Sequence, residues 1–144
     1  MQKTTTVLVI DDHVVIRTLL QDTLTSKGFR GLFAATGHEG LKLAKTQDID
    51  VILLDWIMPE MDGIEVLTEL KSDSNTRDIP VIMLTCRGNA CDIEYAAGKG
   101  AVDYIVKPFK PYEVIEMIQE HLGKMSYSSD VHNAGFFSKI FSRH

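Results

Sequence analysis

The chain is poor in cysteine and has no long apolar run. Its 144 residues include two cysteines, Cys86 and Cys91, whose spacing is not the CxxC of a redox or zinc site. We expect reduced thiols rather than a disulfide, as is usual in the cytoplasm. No apolar run approaches the roughly 20 residues of a membrane span, and the first residues lack the character of a signal peptide. These absences predict a cytoplasmic protein.

The chain also lacks a basic cluster and several common catalytic motifs. It has 15 basic and 20 acidic residues, a net charge of −5, and its Lys and Arg residues form no strong run. Nucleic-acid backbones are bound by clustered Lys and Arg, so we expect no nucleic-acid partner. The histidines form neither HExxH nor HxxxH, and GxxxxGK[ST] is absent. The usual zinc-protease and P-loop nucleotide sites are therefore excluded.

The chain does contain alternating strand-like and helix-like segments, from residue 5 to about residue 122. Short apolar runs bounded by turn residues are typical of strands buried on both faces. After the first run, Val15, Leu19, Leu20 and Leu24 recur at helical spacing. Five such strand–helix units predict an α/β fold with a five-stranded, doubly wound parallel sheet and right-handed crossovers. The predicted strands are residues 7–10, 32–35, 51–54, 81–84 and 104–106.

Four of these runs end in polar residues. Asp11 and Asp12 follow the first run, Asp55 the third, Thr85 the fourth and Lys107 the fifth. In an open parallel sheet, ligands bind outside the carboxyl ends of the strands, so we expect these side chains to converge there. Three carboxylates, a hydroxyl and an ammonium group suit a divalent cation together with a phosphoryl group.

Each of these residues also has an ordinary structural interpretation. Asp55 can cap a helix or form an internal ion pair, and Asp11 and Asp12 can start a helix, since Asp favours the first turn. Lys107 can be a solvated lysine, and Thr85 a β-branched packing residue. A carboxylate that ends a fully apolar strand is costly unless it is paired or bound to a cation. For this reason we favour one shared site.

Taken together, the motifs resemble the receiver domain of two-component response regulators, in particular single-domain regulators of the chemotaxis type. The resemblance rests on Asp11-Asp12, on D-x-x-M-P-x-M-D-G beginning at Asp55, on Thr85 and on Lys107-Pro108-Phe109. It covers residues 5 to about 122. It implies a flavodoxin-like strand order 2-1-3-4-5 with five helices, and a cis Lys107–Pro108 bond.

The resemblance also implies a task for each residue of the pocket. Asp55 would be the phospho-acceptor, assisted by Thr85 and Lys107. The chemistry agrees, because a carboxylate is a poor nucleophile towards a negatively charged phosphoryl group unless a cation such as Mg²⁺ reduces the repulsion. The implied magnesium ligands are Asp11, Asp12, Asp55 and the backbone carbonyl of Ile57, with Asp11 acting mostly through water.

Thr85 and Tyr104 match the switch residues of the same family. New charge on Asp55 would draw in Thr85 and let Tyr104 turn inward, which would favour one arrangement of the surface formed by residues 88–122. The alternative for Tyr104 is an ordinary amphipathic residue at the edge of a sheet.

On this interpretation the chain is a single-domain response regulator, a signalling switch that catalyses only its own modification. It would receive phosphate from a histidine kinase or histidine phosphotransfer protein and bind an unknown downstream protein. The alternative is a phosphate shuttle or sink that passes the group between histidine proteins. The resemblance implies that the positions two residues after Asp55 and two after Thr85 tune the lifetime of the phosphoryl group. Here they are Ile57 and Arg87, and we expect slow dephosphorylation, with Arg87 against the phosphoryl group. We interpret His13 as polar surface and Cys86 as a small buried residue.

The composition changes near the end of the chain. We predict a receiver domain over residues 1–123, followed over residues 124–144 by a linker and a short aromatic and basic tail without a separate output domain. Phe136, Phe137 and Phe141 would share one helical face. Such a tail suits a membrane surface or a partner groove; a disordered end and packing against its own domain are the alternatives.

Overall fold

The computed structural model describes residues 3–123, in which five strands alternate with five helices. The tail predicted over residues 124–144 lies outside the described residues. The strands are β1 Thr6–Ile10, β2 Arg30–Ala34, β3 Val51–Leu54, β4 Val81–Thr85 and β5 Asp103–Val106. The helices are α1 Val14–Ser26, α2 Gly37–Thr46, α3 Gly63–Ser72, α4 Ala90–Gly98 and α5 Pro111–Gly123.

The five strands form one parallel sheet in the order β2-β1-β3-β4-β5. This confirms the predicted α/β class and strand order. β1 lies inside the sheet, where Leu8 is in register with Leu32 of β2 and with Ile52 of β3. Every residue of β1, β3 and β4 is buried. A strand covered by helices on both faces has no polar side, which explains the continuous apolar runs in the sequence.

Two separate apolar cores lie on the two faces of the sheet. Leu8 and Ile10 face one core, which α2, α3 and α4 cover; Val7 and Val9 face the other, which α1 and α5 cover. This division follows from the two-residue period of a strand, in which successive side chains point to opposite faces. Full burial of one such side chain contributes roughly 1.5–3 kcal/mol to the free energy of unfolding. Both cores therefore stabilise the sheet whose strand ends carry the site.

Polar caps fix where the helices on one face begin. The Thr36 hydroxyl accepts a hydrogen bond from the Glu39 amide at 3.1 Å, and the Asn89 side chain accepts one from the Asp92 amide at 2.9 Å. Asp62 and Glu65 form a reciprocal capping box at the start of α3. Such caps satisfy amide groups that have no partner within the helix.

Helix α1 buries one face against the sheet. Leu20 and Leu24 are fully buried and Ile16 packs against them, whereas Val15 is 74% exposed and Leu19 is 36% exposed. Residues at i, i+4 and i+8 share one helical face, and Ile16, Leu20 and Leu24 form that set. The helix that the spacing of Val15, Leu19, Leu20 and Leu24 predicts is present, and of these four residues Leu20 and Leu24 lie in the core.

Two predictions, the start of β2 and the burial of Cys86, need correction. β2 begins at Arg30, two residues before the predicted start, because this edge strand is only partly buried and lacks a continuous apolar run. Cys86 and Cys91 are free thiols, as expected, but both are exposed, so Cys86 is not a buried residue. Among residues 3–123, no helix combines the length and apolar character needed to cross a membrane.

Candidate functional site

The predicted site residues meet at the carboxyl ends of β1, β3, β4 and β5. Backbone hydrogen bonds of the sheet continue one residue beyond the strands: the Asp11 amide donates to the Ala34 carbonyl at 3.0 Å, and the Asp55 amide donates to the Ile10 carbonyl at 2.9 Å. The Lys107 amide likewise donates to the Thr85 carbonyl at 2.9 Å. The sheet itself therefore fixes the backbone from which these side chains project.

Lys107 is buried among the acidic residues. Its Nζ donates hydrogen bonds to Asp11 Oδ2 at 2.8 Å and to Asp55 Oδ2 at 3.3 Å, and its side chain is 10% exposed. Burial by itself would lower the pKa of Lys107, but the hydrogen bond to Asp11 and the charges of Asp55 and Asp11 raise it above the usual value. Lys107 is therefore a fixed positive charge and not a solvated surface lysine.

Asp55 is a strongly desolvated carboxylate. It is 2% exposed, and burial together with the nearby charge of Asp11 raises its pKa above the usual value, against the opposing effects of Lys107 and of a hydrogen bond with Thr85. It caps no helix, since Asp62 caps the following helix α3. Burial of this negative charge lowers the stability of the folded protein. Perturbed carboxyl groups of this kind cluster at functional sites.

The acidic cluster offers oxygen ligands to a cation. One ligand atom each from Asp11, Asp12, His13 and Asp55 lies within 4.8 Å of the others. Asp12 Oδ1 is buried and accepts no hydrogen bond from any described residue. Mg²⁺ prefers carboxylate oxygens and commonly uses one or two of them, so this set fits a magnesium ion. Helix α1 has no acidic residue in its first turn, although Asp11 Oδ1 accepts a hydrogen bond at 2.9 Å from the amide of its N-cap residue, His13.

An open cavity gives access to this cluster. Its volume is about 500 Å³, and Asp12, Asp55, Thr85 and Lys107 all line it. Ile57, whose side chain is exposed, lies at the same cavity with Met58 and Pro59. The cavity is therefore large enough for a phosphoryl group to approach Asp55 from solvent.

His13 belongs to the site, although it was interpreted as polar surface. Its Nδ1 lies 2.9 Å from Asp11 Oδ1, 3.4 Å from Asp12 Oδ1 and 3.7 Å from Asp55 Oδ2. The side chain is 59% exposed, so the surface interpretation is half correct. Its position directly after two acidic residues is the sequence signal for a place in the site. The absence of a second histidine spaced to share a metal had favoured the surface interpretation.

Arg87 and Tyr104 connect the site with α4. Tyr104 is 2% exposed, and its hydroxyl donates a hydrogen bond to the Arg87 carbonyl. Burial raises the pKa of Tyr104. The Arg87 guanidinium lies 4.5 Å from the centre of the Trp56 ring and donates to Asp92 at 3.3 Å. Arg87 therefore contacts Trp56 and α4, and the expectation that it lies against the phosphoryl position does not match this arrangement.

The structure adds a buried pair that sequence reasoning missed. His121 Nε2 of α5 lies 2.8 Å from Asp103 Oδ2 of β5, and both side chains are almost fully buried. The Tyr104 amide donates to Asp103 Oδ1 at 2.8 Å, so the pair adjoins the Tyr104 backbone. An acidic residue at the start of an otherwise apolar run was the sequence signal for it.

Known proteins resemble the chain in both sequence and fold. The probable transcriptional regulator ycf27 of Pyropia yezoensis is 37% identical over 135 residues, covering 92% of this chain and 54% of that protein. A chemotaxis protein CheY homolog of Campylobacter jejuni is 36% identical over 118 residues, covering 81% of this chain and 91% of that protein. The chain thus spans about half the length of the first relative and most of the second.

Two solved structures share the fold. The chemotaxis protein CheY4 of Vibrio cholerae superposes with a TM-score of 0.78 at 31% identity, covering 82% of this chain and 98% of that one. The receiver domain of a Pseudomonas aeruginosa sensor histidine kinase, with a magnesium ion coordinated in its active-site cleft, has a TM-score of 0.77 at 31% identity, covering 84% of this chain and 99% of that one. A family model described as the response regulator receiver domain matches residues 7–119, and the chain therefore belongs to the response regulator receiver domain family.

Proposed function

We propose that this chain is a phosphorylation-controlled switch in which Asp55 accepts a phosphoryl group from a phosphohistidine donor. The observation that supports this best is the Lys107 ammonium, which bridges Asp11 and Asp55 at 2.8 Å and 3.3 Å beside an open cavity. An Asp55 oxygen attacks phosphorus, the bond from phosphorus to the donor histidine breaks, and an acyl phosphate forms.

A Mg²⁺ ion would be held by Asp12, Asp55 and the backbone carbonyl of Ile57, with Asp11 acting mostly through water. When bound, the ion supplies positive charge that reduces repulsion between the carboxylate and the incoming phosphoryl group. The buried and unpartnered Asp12 Oδ1, within the part of the chain that the structure describes, supports this assignment. The magnesium ion in the active-site cleft of the Pseudomonas aeruginosa receiver domain supports it further.

Lys107 and Thr85 would then stabilise the transferred group. Lys107 Nζ already lies 3.3 Å from Asp55 Oδ2, so a small movement brings its donor to a phosphoryl oxygen. Thr85 is fully buried and lines the same cavity as Asp55, and its hydroxyl can donate to a phosphoryl group there. An ammonium group suits this role as a compact point charge on a flexible stem.

The output would come from a change at the surface formed by residues 88–122. Thr85 and Arg87 are two residues apart, and the Arg87 amide donates to Thr85 Oγ1 at 3.5 Å. The Arg87 carbonyl in turn accepts from the Tyr104 hydroxyl. Movement of Thr85 towards a phosphoryl group would therefore displace Arg87 and alter the hydrogen bond between the Arg87 carbonyl and the Tyr104 hydroxyl. The Tyr104 side chain is already buried in this structure. The switch would then bias this surface by population shift.

We further propose that the phosphodonor is a histidine kinase or histidine phosphotransfer protein and that the output is binding of a downstream protein in the cytoplasm. Residues 1–123 would form the complete receiver unit. Because the proposed site combines a nucleophile with groups that act only on its own phosphoryl group, we assign no separate enzyme activity to it.

The central test is labelling by acetyl phosphate in the presence of Mg²⁺. We expect the wild-type chain and a matched control, Asp78→Asn at an exposed position, to become labelled. Asp55→Asn should remain unlabelled because the attacking carboxylate is gone. Undiminished labelling of Asp55→Asn, detected by intact-protein mass spectrometry, would disprove the assignment.

A further inference from the structure

We propose that the His13 imidazole is an additional ligand of the cation site and that it shifts the preference of the site from Mg²⁺ towards later first-row cations such as Co²⁺ and Ni²⁺. This inference rests on the proposed function, because it concerns the same cation. It concerns a different ligand, however, because all the cation ligands assigned above are oxygen atoms.

The geometry carries the proposal. His13 Nδ1 lies 3.4 Å from Asp12 Oδ1 and 3.7 Å from Asp55 Oδ2, so one ring nitrogen faces two of the assigned ligand oxygens. Donor atoms that each lie about 2.1 Å from a common ion are about 3.0–3.4 Å from one another. The observed separations are longer than this spacing, and the candidate ligand atoms all lie within 4.8 Å of one another, so a modest local adjustment would bring all three atoms onto one cation.

The environment of Asp12 supports the proposal. The Asp12 side chain is 28% exposed, but its Oδ1 atom is buried, accepts no hydrogen bond from residues 3–123 and lies 3.4 Å from the His13 ring nitrogen. A buried oxygen without a donor is costly, and a cation placed between it and the imidazole would remove that cost.

A helix-capping role does not explain the position of the ring. His13 is the N-cap residue of α1, but within the described chain its side chain makes no capping hydrogen bond. The ring instead turns towards Asp11, whose Oδ1 lies 2.9 Å from Nδ1. The neutral imidazole would bind the cation through Nδ1 in the tautomer that carries its single proton on Nε2; the 59% exposure of the side chain lets solvent exchange this proton.

The chemistry of the donors predicts the direction of the preference. Carboxylate and water suit Mg²⁺, whereas imidazole suits later first-row cations, whose affinities rise from Mn²⁺ through Co²⁺ to Ni²⁺. Adding one nitrogen donor to an oxygen site therefore strengthens Co²⁺ and Ni²⁺ binding much more than Mg²⁺ binding.

The test compares cation affinities of tag-free wild-type protein with those of His13→Gln. Calorimetric titrations with Mg²⁺, Co²⁺ and Ni²⁺ should show that the substitution weakens Ni²⁺ and Co²⁺ binding about tenfold or more and changes Mg²⁺ binding less than about twofold. Trp56, the single tryptophan of the chain, follows Asp55 directly, so its quenching by Co²⁺ reports binding at this site.

Two further variants make the result specific. Cys86→Ser controls for the exposed thiol that lines the same cavity and should leave the Ni²⁺ to Mg²⁺ ratio unchanged. Asp12→Asn should remove Trp56 quenching altogether. Equal cation ratios in wild-type and His13→Gln protein would overturn the proposal for His13 while leaving Mg²⁺ binding and Asp55 labelling intact. Failure of the wild-type protein to bind any of the three cations would instead overturn the proposed cation site itself.

Discussion

At the scale of single residues, the site is a group of charges that the fold holds in an unfavourable place. Asp11 and Asp55 are almost completely buried beside Asp12, and Lys107 is the ammonium bound to Asp11 and Asp55. The pKa of Asp55 is raised, first by burial and then by the charge of Asp11. Such an arrangement favours binding of a cation and a phosphoryl group at the expense of stability.

This balance predicts that Asp55→Asn stabilises the protein. The pKa of Asp55 is higher in the folded protein than its unfolded value of 3.8, so the free energy of unfolding falls as the pH rises through the interval between these two values, and the ionised carboxylate destabilises the fold above it. We expect Asp55→Asn to be more stable than wild type by about 1–2 kcal/mol at pH 7 in EDTA. The difference should shrink as the pH falls towards 4, measured by urea unfolding.

Asp78→Asn, at an exposed position, serves as the control and should change stability by less than about 0.5 kcal/mol. A less stable Asp55→Asn protein at pH 7 would contradict the proposed cost of the buried carboxylate.

The sequence was sufficient to predict that Asp11, Asp55, Thr85 and Lys107 lie together, because each lies at or directly after the end of a buried strand, where the sheet fixes the backbone. It was not sufficient to predict the side-chain positions of His13 and Arg87. These two residues lie in loops, where no period relates chain position to side-chain direction. Arg87 turns to the Trp56 ring, and His13 turns back to the acidic cluster.

At the scale of elements, the connection from β3 to α3 is the most tightly packed part of the site. The Gly63 amide donates to the Trp56 carbonyl at 2.7 Å. A Cβ atom at Gly63 would lie 2.2 Å from the Asp55 carbonyl oxygen and 2.7 Å from Trp56 Cα. Both neighbours are backbone atoms that cannot rotate away, so the first residue of α3 must be glycine for Asp55 to keep its position.

We therefore expect Gly63→Ala to destabilise the protein by about 1–3 kcal/mol and to reduce labelling of Asp55 by acetyl phosphate. Gly98→Ala is the matched control, since a Cβ atom built at Gly98 would meet no heavy atom of the described chain within 4 Å apart from its chain neighbours and the backbone of its own helix. It should be neutral or stabilise by up to about 1 kcal/mol with full labelling. Unfolding curves and labelling of both variants test the prediction, and equal behaviour of the two would refute it.

The elements themselves differed in how far the sequence predicted them. The inner strands β1, β3 and β4 were evident because burial on both faces leaves an unbroken apolar run. Edge strand β2 begins with exposed Arg30 and includes Gly31, so its start carried no apolar signal. The buried face of α1 was ambiguous because Val15, Leu19 and Leu20 are all apolar while only Leu20 is fully buried.

At the scale of the whole molecule, the proposed cation binding would be coupled to folding. The proposed magnesium ligands come from the ends of β1 and β3 and have no fixed geometry in an unfolded chain. A ligand that binds only the folded state stabilises it by RT ln(1 + [L]/Kd), which is about 2.7 kcal/mol when the ligand is at 100 times its Kd. Mg²⁺ should therefore act as a stabiliser of the entire domain.

We expect saturating Mg²⁺ to raise the melting temperature of the wild-type chain and EDTA to reverse the rise. Asp12→Asn should melt at the same temperature with or without the ion, because a proposed ligand is missing. Differential scanning calorimetry measures both. An unchanged melting temperature of wild-type protein at millimolar Mg²⁺ would contradict the proposed site.

The contact between Lys107 and Asp11 joins residues 96 positions apart in the chain. Synthesis proceeds from the N-terminus, so Asp55 is made well before its ammonium partner. A chain whose synthesis has not yet passed residue 107 contains Asp55 without the ammonium group that completes the pocket. The proposed phosphorylation of Asp55 would therefore begin only after Lys107 has been made, and shorter copies would not divert phosphate from copies that contain it.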